Sequence, residues 1–154
     1  MARNAKAARR SERGRRAARR PGPRAAAPSP VPSGSPVLFL LRSSDWEARQ
    51  EATALALTAA ALGDRVQVAL FGAALRAWVE ERFDEGAPPG AERVGSLARM
   101  LAEGRSDLGV ELVACETAIR AAGLDPDRCR PKLDAVRGLP EIWHRAGGGR
   151  VIAF

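Results

Sequence analysis

The sequence predicts a three-layer α/β sandwich, with a mostly parallel sheet of about five strands and helices on both faces. Three observations carry this. Short apolar runs without polar alternation, VLFLL at 37–41 and VQVALF at 66–71, are what strands covered on both faces require. Segments of helical length separate them. Glycine and proline fall at the joins.

The elements follow in order. After VLFLL, Ser44 followed by Glu47 forms a capping box that opens a helix rich in Ala and Leu. That helix runs through Leu62 and stops at Gly63, where a left-handed residue closes the last turn. The strand at 66–71 ends at Gly72. Leu75, Trp78, Val79 and Phe83 recur at helical spacing, and GAPPG at 86–90 makes a loop. Val94, Leu97, Ala98, Leu101 and Ala102 form the stripe of an amphipathic helix leading to a strand at Val110. Asp125 and Pro126 supply a capping carboxylate and a first-turn proline for a short helix around Cys129, halted at Pro131. A short strand over 133–136 follows. Leu139, Ile142 and Trp143 give a last helix its apolar face, Gly147, Gly148 and Gly149 break it, and VIAF closes the chain as a strand.

Composition bounds the function. The chain has 154 residues and 45% hydrophobic content, enough for one domain with its own core. Residues 1–24 hold nine Arg and one Lys against one Glu, a net +9, so the formal +7 of the whole chain leaves −2 for the rest. Residues 1–35 have almost no large apolar side chain and are expected to form a disordered Arg/Ala/Pro-rich tail, with the α/β domain over 36–154. Such a tail can hold phosphates without sequence selectivity, or it is a solvated extension; no aromatic side chain is interleaved to stack bases. Nucleic acid is therefore expected to bind weakly through the tail, if at all. No apolar stretch is long enough for a membrane span or a secretory signal, which points to a soluble cytoplasmic protein.

Two cysteines and one histidine at irregular spacing make neither a disulfide framework nor a zinc set. Cys115 is the candidate for chemistry. It stands where the strand in VELVACETAIRAAG, 110–123, runs into a helix ending near Gly123. Strand ends of this kind line the crevice of open α/β sheets, and Ser43, Gly72 and Cys115 should all be near it. A sulfur beside the first amides of that helix would be favoured as thiolate, against the repulsion of Glu116. Equally, Cys115 can be a small buried hydrophobe. Cys129 is either a resolving thiol for Cys115 or incidental. His144, the only histidine, is the one available base for Cys115 but adjoins Trp143 on the last helix, where a surface position is the simpler reading. Ser44 and Ser96 have no partner that would make them nucleophiles.

In the order VLFLL, VQVALF plus glycine, VELVACETAIRAAG and GLPEIWHRAGGGRVIAF, the sequence resembles the DsrE/DsrF-like family of sulfur-relay proteins over 37–154. The resemblance implies an α/β domain in which Cys115 accepts sulfane sulfur from a donor protein as a persulfide and passes it to an acceptor protein. It implies homo- or hetero-oligomers and no metal or organic cofactor. Some relatives lack the cysteine, so the alternative is a non-catalytic subunit of the same fold acting in protein assembly. The Arg-rich extension and the surroundings of Cys129 stand outside the family pattern.

Overall fold

The computed structural model describes residues 34–154. The tail expected over 1–35 lies almost wholly outside the described residues. The element order is β1 (Pro36–Leu41), α1 (Trp46–Ala61), β2 (Arg65–Leu70), α2 (Gly72–Val79), α3 (Leu97–Asp107), β3 (Glu111–Cys115), α4 (Glu116–Ala121), α5 (Pro126–Cys129), β4 (Ala135–Arg137), α6 (Leu139–Ala146) and β5 (Arg150–Ala153), with single 3-10 turns at Ala91–Arg93 and Arg130–Lys132. The five strands form one sheet in the order β4-β3-β2-β1-β5. Every pairing is parallel. The α/β class and the strand number agree with the sequence prediction.

Strand alternation divides the sheet into two unequal faces. On one, Val37, Phe39 and Leu41 of β1, Val66, Val68 and Leu70 of β2, and Leu112 and Ala114 of β3 meet α1 to α5 in the main core. On the other, Leu38, Ala69, Val113 and Cys115 form a small cluster whose helical cover is Ile142 and Ala146 of α6. Among the described residues helices lie on both faces, but the buried side chains of five pack on one and those of the eight-residue α6 on the other. That imbalance leaves apolar sheet surface open.

Three boundaries differ from the sequence reading. The cap of α1 is Asp45, whose Oδ2 accepts from Ala48 N at 3.4 Å, not Ser44; Ser43 Oγ instead accepts the amide of Asp45. Phe83 lies beyond α2, although it still packs edge-on against Trp78 with centroids 5.3 Å apart. Val94 precedes α3 and is exposed, because the true cap is Ser96, and Asp84 from the preceding loop accepts from Ser96 Oγ and from the amides of Leu97 and Ala98. A remote carboxylate decided where that helix starts.

Two glycines hold tight places. Gly63 ends α1 at φ +91°, as expected. Gly149 lies against Pro36: a Cβ there would fall on the Pro36 carbonyl oxygen, so β5 can reach β1 only because residue 149 has none. The loop between α2 and α3 is tied to α1 by Arg49, which is 2% exposed and donates to the carbonyls of Arg82, Phe83 and Glu85.

Candidate functional site

Cys115 is the last residue of β3 and the N-cap residue of α4, so the strand-to-helix junction read from the sequence exists. Its side chain does something other than expected. No α4 amide is bonded to the sulfur, and the residue is 4% exposed, packed with Leu38, Ala69, Val113, Ile142 and Ala146. Strand parity sets its surroundings: residues of one strand two apart share a face, so Cys115, like Val113, lies in the cluster beneath α6. Glu116 does not face the sulfur from a free position; its carboxylate accepts from Arg120 at 2.8 Å on the exposed side of α4.

A groove of about 1180 Å³ opens beyond the carboxyl ends of the strands, on the thinly covered face. Its wall includes Phe71, Leu139, Pro140 and Trp143, and its charged lining is Arg42 and Arg76. Leu40, Phe71 and Ala118 belong both to this wall and to the packing around Cys115. The cluster that holds the thiol and the groove therefore share side chains. Gly72 lines the groove, as the strand-end argument expected; Ser43 does not.

The remaining candidates separate. Cys129 is fully buried in the main core and Cys115 belongs to the cluster on the opposite face, so the sheet stands between the two thiols, and both are free. Burial pushes the Cys129 thiol up from its ordinary value. His144 is exposed on α6, whereas Ile142 and Ala146 carry the buried side of that helix. It does not face Cys115. Trp143 is 58% exposed on the groove wall rather than in the core.

Arg137 was missed by the sequence reading. It is the register partner of Cys115 across β3 and β4 and lies on the same face of the sheet. Its guanidinium runs back to Glu111, bonds Glu141 at 3.1 Å, and has one buried nitrogen, Nη1, without a hydrogen-bond partner. Only the pairing of strands could reveal this neighbour.

Glu111 anchors the polar end of the same face, accepting from Arg137 and from Gln67 Nε2 at 2.9 Å, with Arg145 at 3.8 Å. Burial, the largest influence, works against its charge, but the hydrogen bonds from Arg137 and Gln67 and the nearby arginine charges outweigh it, and the carboxyl is held below the usual glutamate range. A carboxyl lowered on folding stabilises the protein above its unfolded value, and that contribution is lost as pH falls through the folded value. Glu111→Gln is therefore expected to melt lower than the parent at pH 7, with the gap closing below about pH 4. A gap that stays constant from neutral to acid pH would show that the carboxylate charge is not what holds α6.

The ychN protein from E. coli, a crystal structure, superimposes with a TM-score of 0.55 over 79% of this chain and 99% of that one, at 19% identity. The fold is DsrE-like. No protein-family model matches the sequence, and no curated protein does either. At that identity the likeness concerns the DsrE-like fold alone. Among the described residues, no helix is long and apolar enough to cross a membrane.

Proposed function

We propose that this chain is a DsrE-like sulfur-relay subunit that carries sulfane sulfur as a persulfide on Cys115 and passes it to a partner protein. The observation that supports it is the placement of Cys115 at the carboxyl end of β3, behind residues that also line the open groove. The thiolate attacks the outer sulfur of a donor persulfide, the donor's sulfur-sulfur bond breaks, the donor leaves as thiolate, and Cys115 holds the new S–S bond. No electrons are gained or lost overall, and the acceptor's thiolate repeats the step on the Cys115 persulfide. Arg137 is the register partner of Cys115 on the neighbouring strand, with its guanidinium engaged by Glu111 and Glu141. Donor and acceptor proteins, and a homo- or hetero-oligomeric state, are part of this reading.

A second reading has its own support. Cys115 is 4% exposed and makes no hydrogen bond to the α4 amides, which suits a space-filling residue in a non-catalytic subunit of the same fold. One experiment separates them. The purified chain is treated with a low-molecular-weight persulfide and weighed intact beside Cys115→Ser and Cys129→Ser. Sulfur-relay chemistry predicts one added sulfur on the parent and on Cys129→Ser, and none on Cys115→Ser. Equal gain by the parent and Cys115→Ser, or no gain by any, leaves the assembly reading.

A further inference from the structure

We propose that the groove is a binding site for an amphipathic anion, a ligand with an apolar body of about ten carbons and a carboxylate or phosphate end. The groove, about 1180 Å³, exceeds the size of most small-molecule sites. Its position, at the carboxyl ends of parallel strands, is where open α/β sheets hold ligands. Its lining is apolar except at one feature. Arg42 and Arg76 are both there, and no carboxylate is.

That sign is opposite to the molecule around it, because residues 25–154 sum to −2. Eight other arginines of the described body pair with a carboxylate, among them Arg82, Arg105, Arg120, Arg137 and Arg150; Arg65, Arg93 and Arg128 do not, but they lie outside the groove. Arg42 and Arg76 form no ion pair among the described residues. Arg76 uses one nitrogen on the carbonyl of Ala122, which leaves the rest of its fork, and Arg42 is exposed with no side-chain hydrogen bond among the described residues. Gly72 and Ala73, the first residues of α2, complete this end of the groove, and Phe71, the residue before them, offers no side-chain cap to the helix amides. The positive end of α2 adds to the two guanidinium charges.

The α6 part of the wall is Leu139, Pro140 and Trp143, with Leu139 half exposed and Trp143 58% exposed. Apolar surface of this extent together with two cations that form no ion pair among the described residues complements a ligand with a greasy tail and an anionic head. An uncharged apolar ligand would leave the arginines unused. A polar anion without a tail would leave the aromatic wall wet. The inference rests on the groove lining and is independent of sulfur chemistry at Cys115.

The test uses the full chain and the fluorescence of Trp143, assigned by its loss in Trp143→Phe. Dodecanoate and dodecanol are titrated below their aggregation limits. The expected result is saturable binding of dodecanoate, at least tenfold weaker binding of dodecanol, and a gap that shrinks both in Arg42→Gln and at high salt. Dodecyl phosphate distinguishes head groups: tighter binding than dodecanoate identifies a phosphate ligand, and weaker binding a carboxylate. Equal affinity for dodecanoate and dodecanol in the parent, or no saturable binding of either, overturns the proposal. The salt dependence in the parent keeps it falsifiable if Arg42→Gln fails to fold, and persulfide uptake by the same sample is scored separately.

Discussion

Arg49→Ala is expected to destabilise the domain by about 3 kcal/mol. The residue sits on α1 with 2% exposure, and its guanidinium is the meeting point of residues 82–85 in the loop between α2 and α3. It donates to Phe83 O at 2.7 Å, Glu85 O at 2.5 Å and Arg82 O at 3.2 Å, and its Nε reaches Asp45 O at 3.3 Å. Its plane lies 5.5 Å from the ring centroid of Phe83, within cation–π range. Truncation would leave carbonyls inside without donors, at roughly 1–3 kcal/mol for each that stays dry. Water entering the vacated space offsets part of that. Burial lowers the Arg49 value from its ordinary one, but an arginine stays charged, and Asp84, Asp45 and Glu85 all favour the cation. For a domain of this size the loss corresponds to a drop of about 10 °C in melting temperature. Arg49→Lys should recover less than half, because an ammonium cannot reproduce the planar fork. A melting temperature for Arg49→Ala within about 2 °C of the parent would show that the loop is held by Phe83 and Asp84 and not by the arginine.

The second large effect is expected from Ile142→Ala, and it bears on function. Ile142 is fully buried and, with Ala146, is what α6 contributes to the cluster around Cys115. Removing its branched end costs about 2–5 kcal/mol when the surroundings cannot collapse. Among the described residues, α6 supplies the buried helical side chains of this cluster, so the penalty falls on the docking of α6 more than on the main core. Pairing of Glu141 with Arg137 at 3.1 Å, and of Arg145 with Glu111 at 3.8 Å, still tethers the helix but adds little against such a loss. Local release opens the cluster at a lower free energy than global unfolding. Cys115 should then react with a thiol reagent at least tenfold faster, while Cys129, fully buried on the other side of the sheet, keeps its rate. The internal control is the useful part. If both thiols accelerate together, α6 is not an independent cover, and access of a sulfur donor to Cys115 would need the whole domain to open.

These two expectations show where reading residues in order succeeds and where it stops. The apolar runs at 37–41 and 66–71, the strand ending at Cys115 and the helix stop at Gly63 were all visible, because each depends on neighbours within a few positions. The start of α3 was not: Val94 fits the helical stripe, yet Asp84, bonded to Ser96 and Leu97 from twelve and thirteen residues away, caps the helix later. Arg49 gave no sign either. An arginine in an Ala-rich helix looks like a solvated side chain until the loop at 82–85 folds over it.

The candidate site divides in the same way. Order along the chain determined that a thiol would stand at the carboxyl end of a buried parallel strand, since hydrophobic pattern and strand-to-helix punctuation are local. Tertiary structure alone decided what surrounds it: that Cys115 faces the thin layer under α6, that Cys129 lies across the sheet, that Arg137 is its register partner, and that Arg42 and Arg76 meet in one groove. The reason is geometric. The face a strand residue takes, and the neighbour it gains, depend on the pairing and stacking of segments tens of residues apart, and no local preference of either segment encodes that choice.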